Sequence, residues 1–349
     1  MTSLAERLAQ SPELFPFALD LAGQSVSFIS LTEAEVTKAS FLDERIATAQ
    51  PVHAGFCYAE VAQAVSAAQL PERTDWIFHI GHVGSTLLSR LLGARPDILG
   101  LREPAILRTL ALAHIQPPPQ LPDWTPARLS EALGVFVRLW SRSFRPDQHS
   151  VTKATSFASE LGAQLLARPS APRAVMLYVA LETYLATILG AENSPREARM
   201  LAPLRAARLK KRLGMQVDLA GMSIGEIVAM SWACEMLALS AAAQSAAERA
   251  LWVDFDRFFR QPGPTLEACF RHFGTPVAPD GIGALLKGPI MSRYSKAPEY
   301  PYDRALRDAV LNQARSRQGT EIRLGLDWFA VASARWPMPF ETPDHPAKS

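Results

Sequence analysis

The chain has 349 residues, of which 48% are hydrophobic and 20% charged, and its 36 Lys+Arg against 34 Asp+Glu leave a formal charge of +2. This is the balance of a globular protein of one large or two ordinary domains and argues against a disordered chain. A charge so close to zero supplies no overall field for a phosphate backbone, so no nucleic-acid partner is expected.

In chain order, Ser25 to Ser30 is a short β-prone run, Leu31 to Ala49 carries a helical pattern, and Ala59 to Gln69 is an Ala-rich helix. Trp76 to Ile80 is apolar, aromatic and β-branched and stops at Gly81, which predicts a buried strand. Leu87, Leu88, Leu91 and Leu92 then repeat at helical spacing in a helix starting at Ser85. Ile98 to Leu101 suggests a second strand, and Pro117, Pro118, Pro119, Pro122 and Pro126 mark a stiff connection. Ala127 to Ser143 is predicted helical, Ser150 to Lys153 a strand, Phe157 to Ala167 a helix and Arg173 to Ala180 a strand. Helices follow over Glu182 to Leu189, Pro195 to Leu213 and Ile224 to Leu251, then a short strand at Trp252 and Val253 and a helix over Thr265 to Phe273. Two last helices cover Asp303 to Arg315 and Glu321 to Ala334. Strands alternating with helices argue for an α/β fold with a mostly parallel sheet covered on both faces.

Residues 1–72 are read as an N-terminal extension packed on the core, 73–336 as the main domain with helical insertions near 116–145 and 190–250, and 337–349 as a loose tail. The cysteines Cys57, Cys234 and Cys269 form no CxxC pair, so neither a zinc site nor a disulfide framework is expected. The first residues carry charges where a signal peptide needs an apolar core. The apolar run Met222 to Leu239 contains Glu226 and Glu235, which fits a buried core helix better than a membrane span. A cytoplasmic protein without a membrane partner is therefore expected.

The segment with chemical content is Gly81-His82-Val83-Gly84-Ser85-Thr86-Leu87-Leu88, between a strand and a helix. Glycines let a backbone turn sharply and approach an anion, and the N–H groups opening the next helix then point at it. Ser85 and Thr86 add hydroxyls. The lysine of the G-x-x-x-x-G-K-S/T loop is missing, because Ser85 follows Gly84 directly, so a magnesium-dependent kinase or NTPase is a minor alternative.

This loop, followed by Arg95-Pro96-Asp97 and Leu101-Arg102-Glu103-Pro104, resembles the sulfotransferase superfamily in its bacterial and Golgi flavour. Val151 to Thr155, Val253 to Phe258 and Gly288 to Lys296 resemble later segments of that family, so the resemblance spans roughly residues 74–335. It implies a three-layer α/β/α P-loop fold and metal-free transfer of a sulfuryl group from 3′-phosphoadenylyl sulfate to a hydroxyl or amine of a small-molecule or peptidyl acceptor. Gly81, Gly84, Ser85, Thr86 and Leu87 would cradle the donor's phosphosulfate. Arg293 and Lys296 would close over its nucleotide. The cation that assists the leaving phosphate would be His82, if protonated, or Lys153 at its strand end; the alternatives are a plain loop residue and a surface lysine. Glu103 stands where relatives keep a general base, and a carboxylate beside a bound anion is expected to have a raised pKa. Alternatively, Glu103 pairs with Arg102 or caps the helix opened by Pro104. His79 and His114 are weaker base candidates, His79 being expected as a satisfied core histidine.

One departure stands out. Relatives carry Arg-Asp-Pro and a later Ser after the strand matching Arg173 to Ala180, and these hold the donor's 3′-phosphate. Here the segment is Val179-Ala180-Leu181-Glu182-Thr183, with Thr187 as the nearest substitute for the Ser. Glu182 would repel a phosphate. The basic run from Arg196 to Arg212 is an alternative source of charge, although a solvated helix face is the simpler expectation for it. A degenerate P-loop protein that binds a nucleotide or a partner without catalysis is the second reading.

Overall fold

The computed structural model describes residues 3–46, 55–121, 123–338 and 340. Pro122, the end of the helical pattern after residue 46 and most of the 337–349 tail lie outside the described residues.

Among the described residues, eight strands form two sheets. The first is antiparallel, with β1 (Leu14–Asp20), β2 (Ser25–Ser30) and β3 (Phe56–Cys57) in that order. The second holds β4 (Thr74–His79), β5 (Ile98–Arg102), β6 (His149–Lys153), β7 (Ala174–Tyr178) and β8 (Ala250–Asp254), all parallel, in the order β5-β6-β4-β7-β8. The fold is mixed α/β with this five-stranded sheet at its centre. Both faces are covered, so β7 is a continuous apolar run and β4 carries one from Trp76 to Phe78, while β6, His-Ser-Val-Thr-Lys, is buried although mostly polar. Trp76, Ile77 and Phe78 of β4 are completely buried, as are Ala174, Val175, Met176 and Leu177 of β7. The helix Ser85–Leu92 packs on β4, β5 and β6, and the helix Ile224–Ala246 on β4 and β7. The second helix is apolar and long enough to cross a membrane, but 83% of its apolar window is buried inside the protein.

The order of strands decides where a site can form. The chain starts at the central β4, moves out to β5, returns to β6, then crosses to β7 and β8 on the other side. Connections after β4 and β6 therefore diverge above neighbouring strands and open a crevice at their C-terminal ends.

Several expectations change in detail. The helix predicted from Leu31 is short, Glu33–Lys38, opened by a capping box between Thr32 and Glu35. It ends because the buried Arg102 guanidinium takes the carbonyls of Val36, Thr37 and Ala39 as hydrogen-bond acceptors, and Ala39 leaves helical geometry with ψ 130°. The expected helix from Phe157 is a 3-10 segment, Ser156–Leu161, followed by the α-helix Gly162–Leu166. Strand β1 was not anticipated: Pro16 obscures its pattern, and its pairing with β2 shifts register between Pro16 and Ala18. The buried Arg142 ties this region to the main sheet's helices by donating to the carbonyls of Leu8, Ser11 and Leu14.

The basic helix Ser194–Leu213 is not a simple solvated face. Arg205 and Arg208 are buried and both bond the fully buried Glu235 of the helix Ile224–Ala246, while Arg208 and Arg212 bond Glu160. A buried carboxylate requires such partners.

Candidate functional site

All five parallel strands deliver residues to the same edge. From β4 the chain runs through a loop whose backbone is left-handed at Gly81 (φ 85°), His82 (φ 55°) and Gly84 (φ 68°). The helix Ser85–Leu92 makes its first bond from Leu88 N–H to the Gly84 carbonyl, so the N–H groups of Ser85, Thr86 and Leu87 precede the helical ladder. Thr86 is 1% exposed and its hydroxyl has no hydrogen-bond partner among the described residues. A buried, orphaned hydroxyl beside unpaired N–H groups at a helix start is suited to receive an anion. Gly84 is required twice over, by its left-handed φ and because a Cβ there would fall on the Phe255 ring.

His79, at the end of β4, holds the loop from below. Its Nδ1 accepts from Gly81 N–H at 3.0 Å, which makes Nε2 the donor to the Ala154 carbonyl at 2.8 Å. Both nitrogens are thus used, as expected of a satisfied core histidine, and burial pushes its pKa well below the ordinary value. His114 lies in the helix Ala105–Ile115 and lines neither of the cavities described below.

Glu103, following β5 with φ 53°, and Lys153, ending β6, form an ion pair. The Lys153 side chain is 1% exposed and that of Glu103 18%. Lys153 is therefore no surface lysine, and Glu103 pairs with neither Arg102 nor a helix start. The expected upward shift of Glu103 is also corrected. Burial raises its pKa, but the Lys153 ammonium, with Lys296 and Arg45 behind it, outweighs burial and holds it below the usual carboxylate value. Burial lowers the pKa of Lys153, and Glu103 only partly restores it.

His82 is not a cation at neutral pH. Burial, helped by Lys296 and Arg205, brings its pKa down to about 4. Its Nε2 stands 4.0 Å from Glu197. As a neutral imidazole it has one donor and one acceptor to offer.

Two cavities meet at this edge. A cleft of about 200 Å³ contains the loop from His82 to Leu87 with Thr187, Arg293, Lys296, Phe255 and Arg307 in its walls. A chamber of about 450 Å³ lies on the other side of the loop. His79, His82, Glu103 and Lys296 border both. A separate cavity of about 390 Å³, between Tyr58 and Trp124, includes none of these residues.

The structure thus gathers Gly84, Ser85, Thr86, Leu87, His82, Glu103, Lys153, Thr187, Arg293 and Lys296 around the cleft, while Gly81 borders the chamber. Thr187 spends its hydroxyl proton on the Thr183 carbonyl at 2.7 Å. Arg293 and Lys296 are exposed and belong to a turn in which Arg293 pairs with Pro301 and Tyr294 N–H donates to the Tyr300 carbonyl. This turn is anchored by main-chain acceptors: Arg90 Nε donates to the Ser295 carbonyl at 2.8 Å and the Ser40 hydroxyl to the Lys296 carbonyl at 3.0 Å.

Sequence reasoning missed Arg307. It sits on the helix Arg304–Arg317, pairs with Asp256 and lies 5.3 Å from the ring centres of both Phe255 and Phe259. Asp256 also accepts from the Thr183 hydroxyl at 2.8 Å. These partners are about fifty to seventy residues away, so no local pattern announced them. Arg315 of the same helix holds Glu182 through two bonds of 2.8 and 2.9 Å, so the acid that follows β7 is paired. Among the described residues, no group of three or more His, Cys, Asp or Glu is arranged to hold a metal.

No family model and no curated protein sequence matches the chain. Among solved structures, the chain is similar to sulfotransferase domains. One comes from the curacin biosynthetic pathway, with 12% identity, a TM-score of 0.44, and 72% of this chain and 98% of that domain covered. Another comes from the Synechococcus PCC 7002 olefin synthase, with 13% identity, a TM-score of 0.38, and 73% and 94% covered.

Proposed function

We propose that the protein transfers a sulfuryl group from 3′-phosphoadenylyl sulfate to a hydroxyl acceptor. The observation that carries this reading is the left-handed loop ending in the buried, unpartnered Thr86 hydroxyl, with a buried Glu103–Lys153 pair at its side. The donor would supply the sulfuryl group when bound. Ser85, Thr86 and Leu87 N–H would hold its phosphosulfate, and Lys296, Arg293 and Arg307 line the cleft where its remaining charge would lie.

Sulfuryl transfer is largely positioning and charge stabilisation at an in-line centre. The acceptor oxygen forms a bond to sulfur as the bond from sulfur to the phosphate oxygen breaks, and the electron pair leaves with 3′,5′-adenosine bisphosphate. Glu103 takes the acceptor's proton. Lys153, drawn towards the leaving phosphate, relaxes its hold on Glu103, so the carboxylate becomes a stronger base as charge builds on the other side. His82, neutral in this site, donates or accepts a hydrogen bond rather than neutralising charge.

The lack of an arginine between Val179 and Thr187 favours a second reading, in which the cleft binds a nucleotide without catalysis. Thermal shift with 3′,5′-adenosine bisphosphate, beside ADP and magnesium ATP, separates these readings from a kinase. A ligand at about 100 times its dissociation constant adds about 2.7 kcal/mol. A shift specific to the 3′-phosphorylated nucleotide is expected. A response to magnesium ATP alone would point to phosphoryl transfer. Glu103→Gln should then abolish turnover while retaining the nucleotide shift; a fully active variant would remove Glu103 from the reaction.

A further inference from the structure

The chamber behind the loop has a specific chemical character. At about 450 Å³ it suits a small organic molecule. Its walls include Phe41, Phe157, Tyr184, Ile188 and Leu201, which offer an apolar surface. Its arginines differ in how far they are satisfied. Arg45 is paired with Asp43, and Arg108 with Glu44. Arg205 is 8% exposed and is served less completely: Nε donates to Glu235 and Nη1 to the Ser231 hydroxyl, each at 3.2 Å. Its Nη2 makes no hydrogen bond among the described residues and is not sealed from the chamber. Glu235 cannot neutralise it fully, because Arg208 holds the same carboxylate through bonds of 2.8 and 2.9 Å. Three arginines, Arg205, Arg208 and Arg212, thus share two acids, Glu235 and Glu160. Of the three, Arg205 is the one that lines the chamber, so its share of the uncompensated charge is presented there. The acid at the mouth, Glu197, is 56% exposed and faces His82, so water screens it.

We infer that this chamber holds the acceptor, and that the acceptor is a hydroxy acid with an apolar body: its carboxylate sits on Arg205 and its hydroxyl faces Glu103 and His82. This rests on the sulfuryl-transfer reading above. A guanidinium with free donors, nearly removed from water, strongly favours an anionic group over a neutral one of the same shape.

The test uses the full chain saturated with 3′,5′-adenosine bisphosphate, titrated calorimetrically with para-hydroxyphenylacetate, para-hydroxybenzoate and straight-chain terminal hydroxy alkanoates. Each acid is paired with its uncharged alcohol or amide counterpart. At least one acid should bind tenfold or more tighter than its neutral partner, about 1.4 kcal/mol. Leu201→Glu, which puts a carboxylate in the wall without touching Glu235, should abolish acid binding and leave the nucleotide's affinity unchanged. Arg205→Gln should remove the preference for the acid, and its Tm shows whether the fold has survived. No binding by any acid, or equal binding by every neutral partner, overturns the inference. Failure of the nucleotide to bind, with acid binding retained, refutes the sulfuryl-transfer reading and leaves an organic-anion site.

Discussion

Replacing Gly84 with alanine puts a methyl group where the Phe255 ring stands. Even the more distant ring carbon, Cε1, would lie 2.7 Å from the new Cβ, against the ~3.5–4.0 Å of an ordinary carbon contact. The ring has little freedom to withdraw. It is 6% exposed, packs 5.8 Å from Phe258 and 5.4 Å from Phe259, and is covered by the Arg307 guanidinium. Overpacking of this kind costs about 1–3 kcal/mol. The left-handed φ of 68° adds about 1–2 kcal/mol for an alanine. Together the expected loss is about 2–5 kcal/mol. Urea unfolding, read as a fall in midpoint at constant slope, measures it. The same substitution in a Phe255→Leu background should cost only the backbone part. Equal costs in the two backgrounds would mean that Phe255 is not the obstacle. A loss below about 1 kcal/mol in the native background would refute the left-handed geometry of the loop.

Removing one partner of the buried ion pair, as in Glu103→Gln, leaves Lys153 uncompensated and should cost about 3–5 kcal/mol, much of it recovered in Glu103→Gln/Lys153→Met; strictly additive losses would contradict the pairing. The His82 imidazole should stay neutral in NMR titrations from pH 8 to about pH 5 and protonate near its depressed value of about 4; a midpoint near 6.5 would mean that it is solvated. Burial alone would raise the pKa of Glu235, but Arg208 and Arg205 bring it down to about 2. Because the folded value lies below the unfolded one of about 4.3, its stabilisation is complete above that pH and is lost as pH falls towards 2, on the order of 3 kcal/mol. The slope of Tm against pH in that window should flatten in Glu235→Gln, and an unchanged slope would count against the Arg–Glu–Arg cluster.

The parts of the site that could be read in the sequence are local. The apolar run Trp76 to Ile80, the two glycines and the leucine spacing after Ser85 are consecutive signals, and they place strand, loop and helix correctly. Lys153 was legible because it ends a strand, and Glu103 because the family resemblance points to the residue just after the second one. Their mutual bond was not, since it depends on β5 and β6 being neighbours, which no local signal specifies. Arg307 and the Glu182–Arg315 pair depend on a late helix folding back over the sheet edge. The basic helix misled for a related reason. Charge every few residues normally means solvent, but here Glu235 on a distant apolar helix draws Arg205 and Arg208 inward. The direction of the Glu103 pKa likewise followed from a partner rather than from its own surroundings.

The turn that carries Arg293 and Lys296 is fastened through carbonyl oxygens at Ser295 and Lys296, which every amino acid possesses. These two anchoring bonds are therefore independent of its side chains, although inside the turn Arg293 also donates to the Glu299 carbonyl at 3.4 Å and the Tyr294 ring lies 5.5 Å from that of Tyr302. Lys296 can be exchanged without losing either anchor, whereas replacing Arg90 removes the bond to Ser295 whatever side chains the turn carries. Ligand preference at Lys296 is thus separable from the rim's main-chain anchorage, and a library randomised at Lys296 should yield folded proteins of differing selectivity.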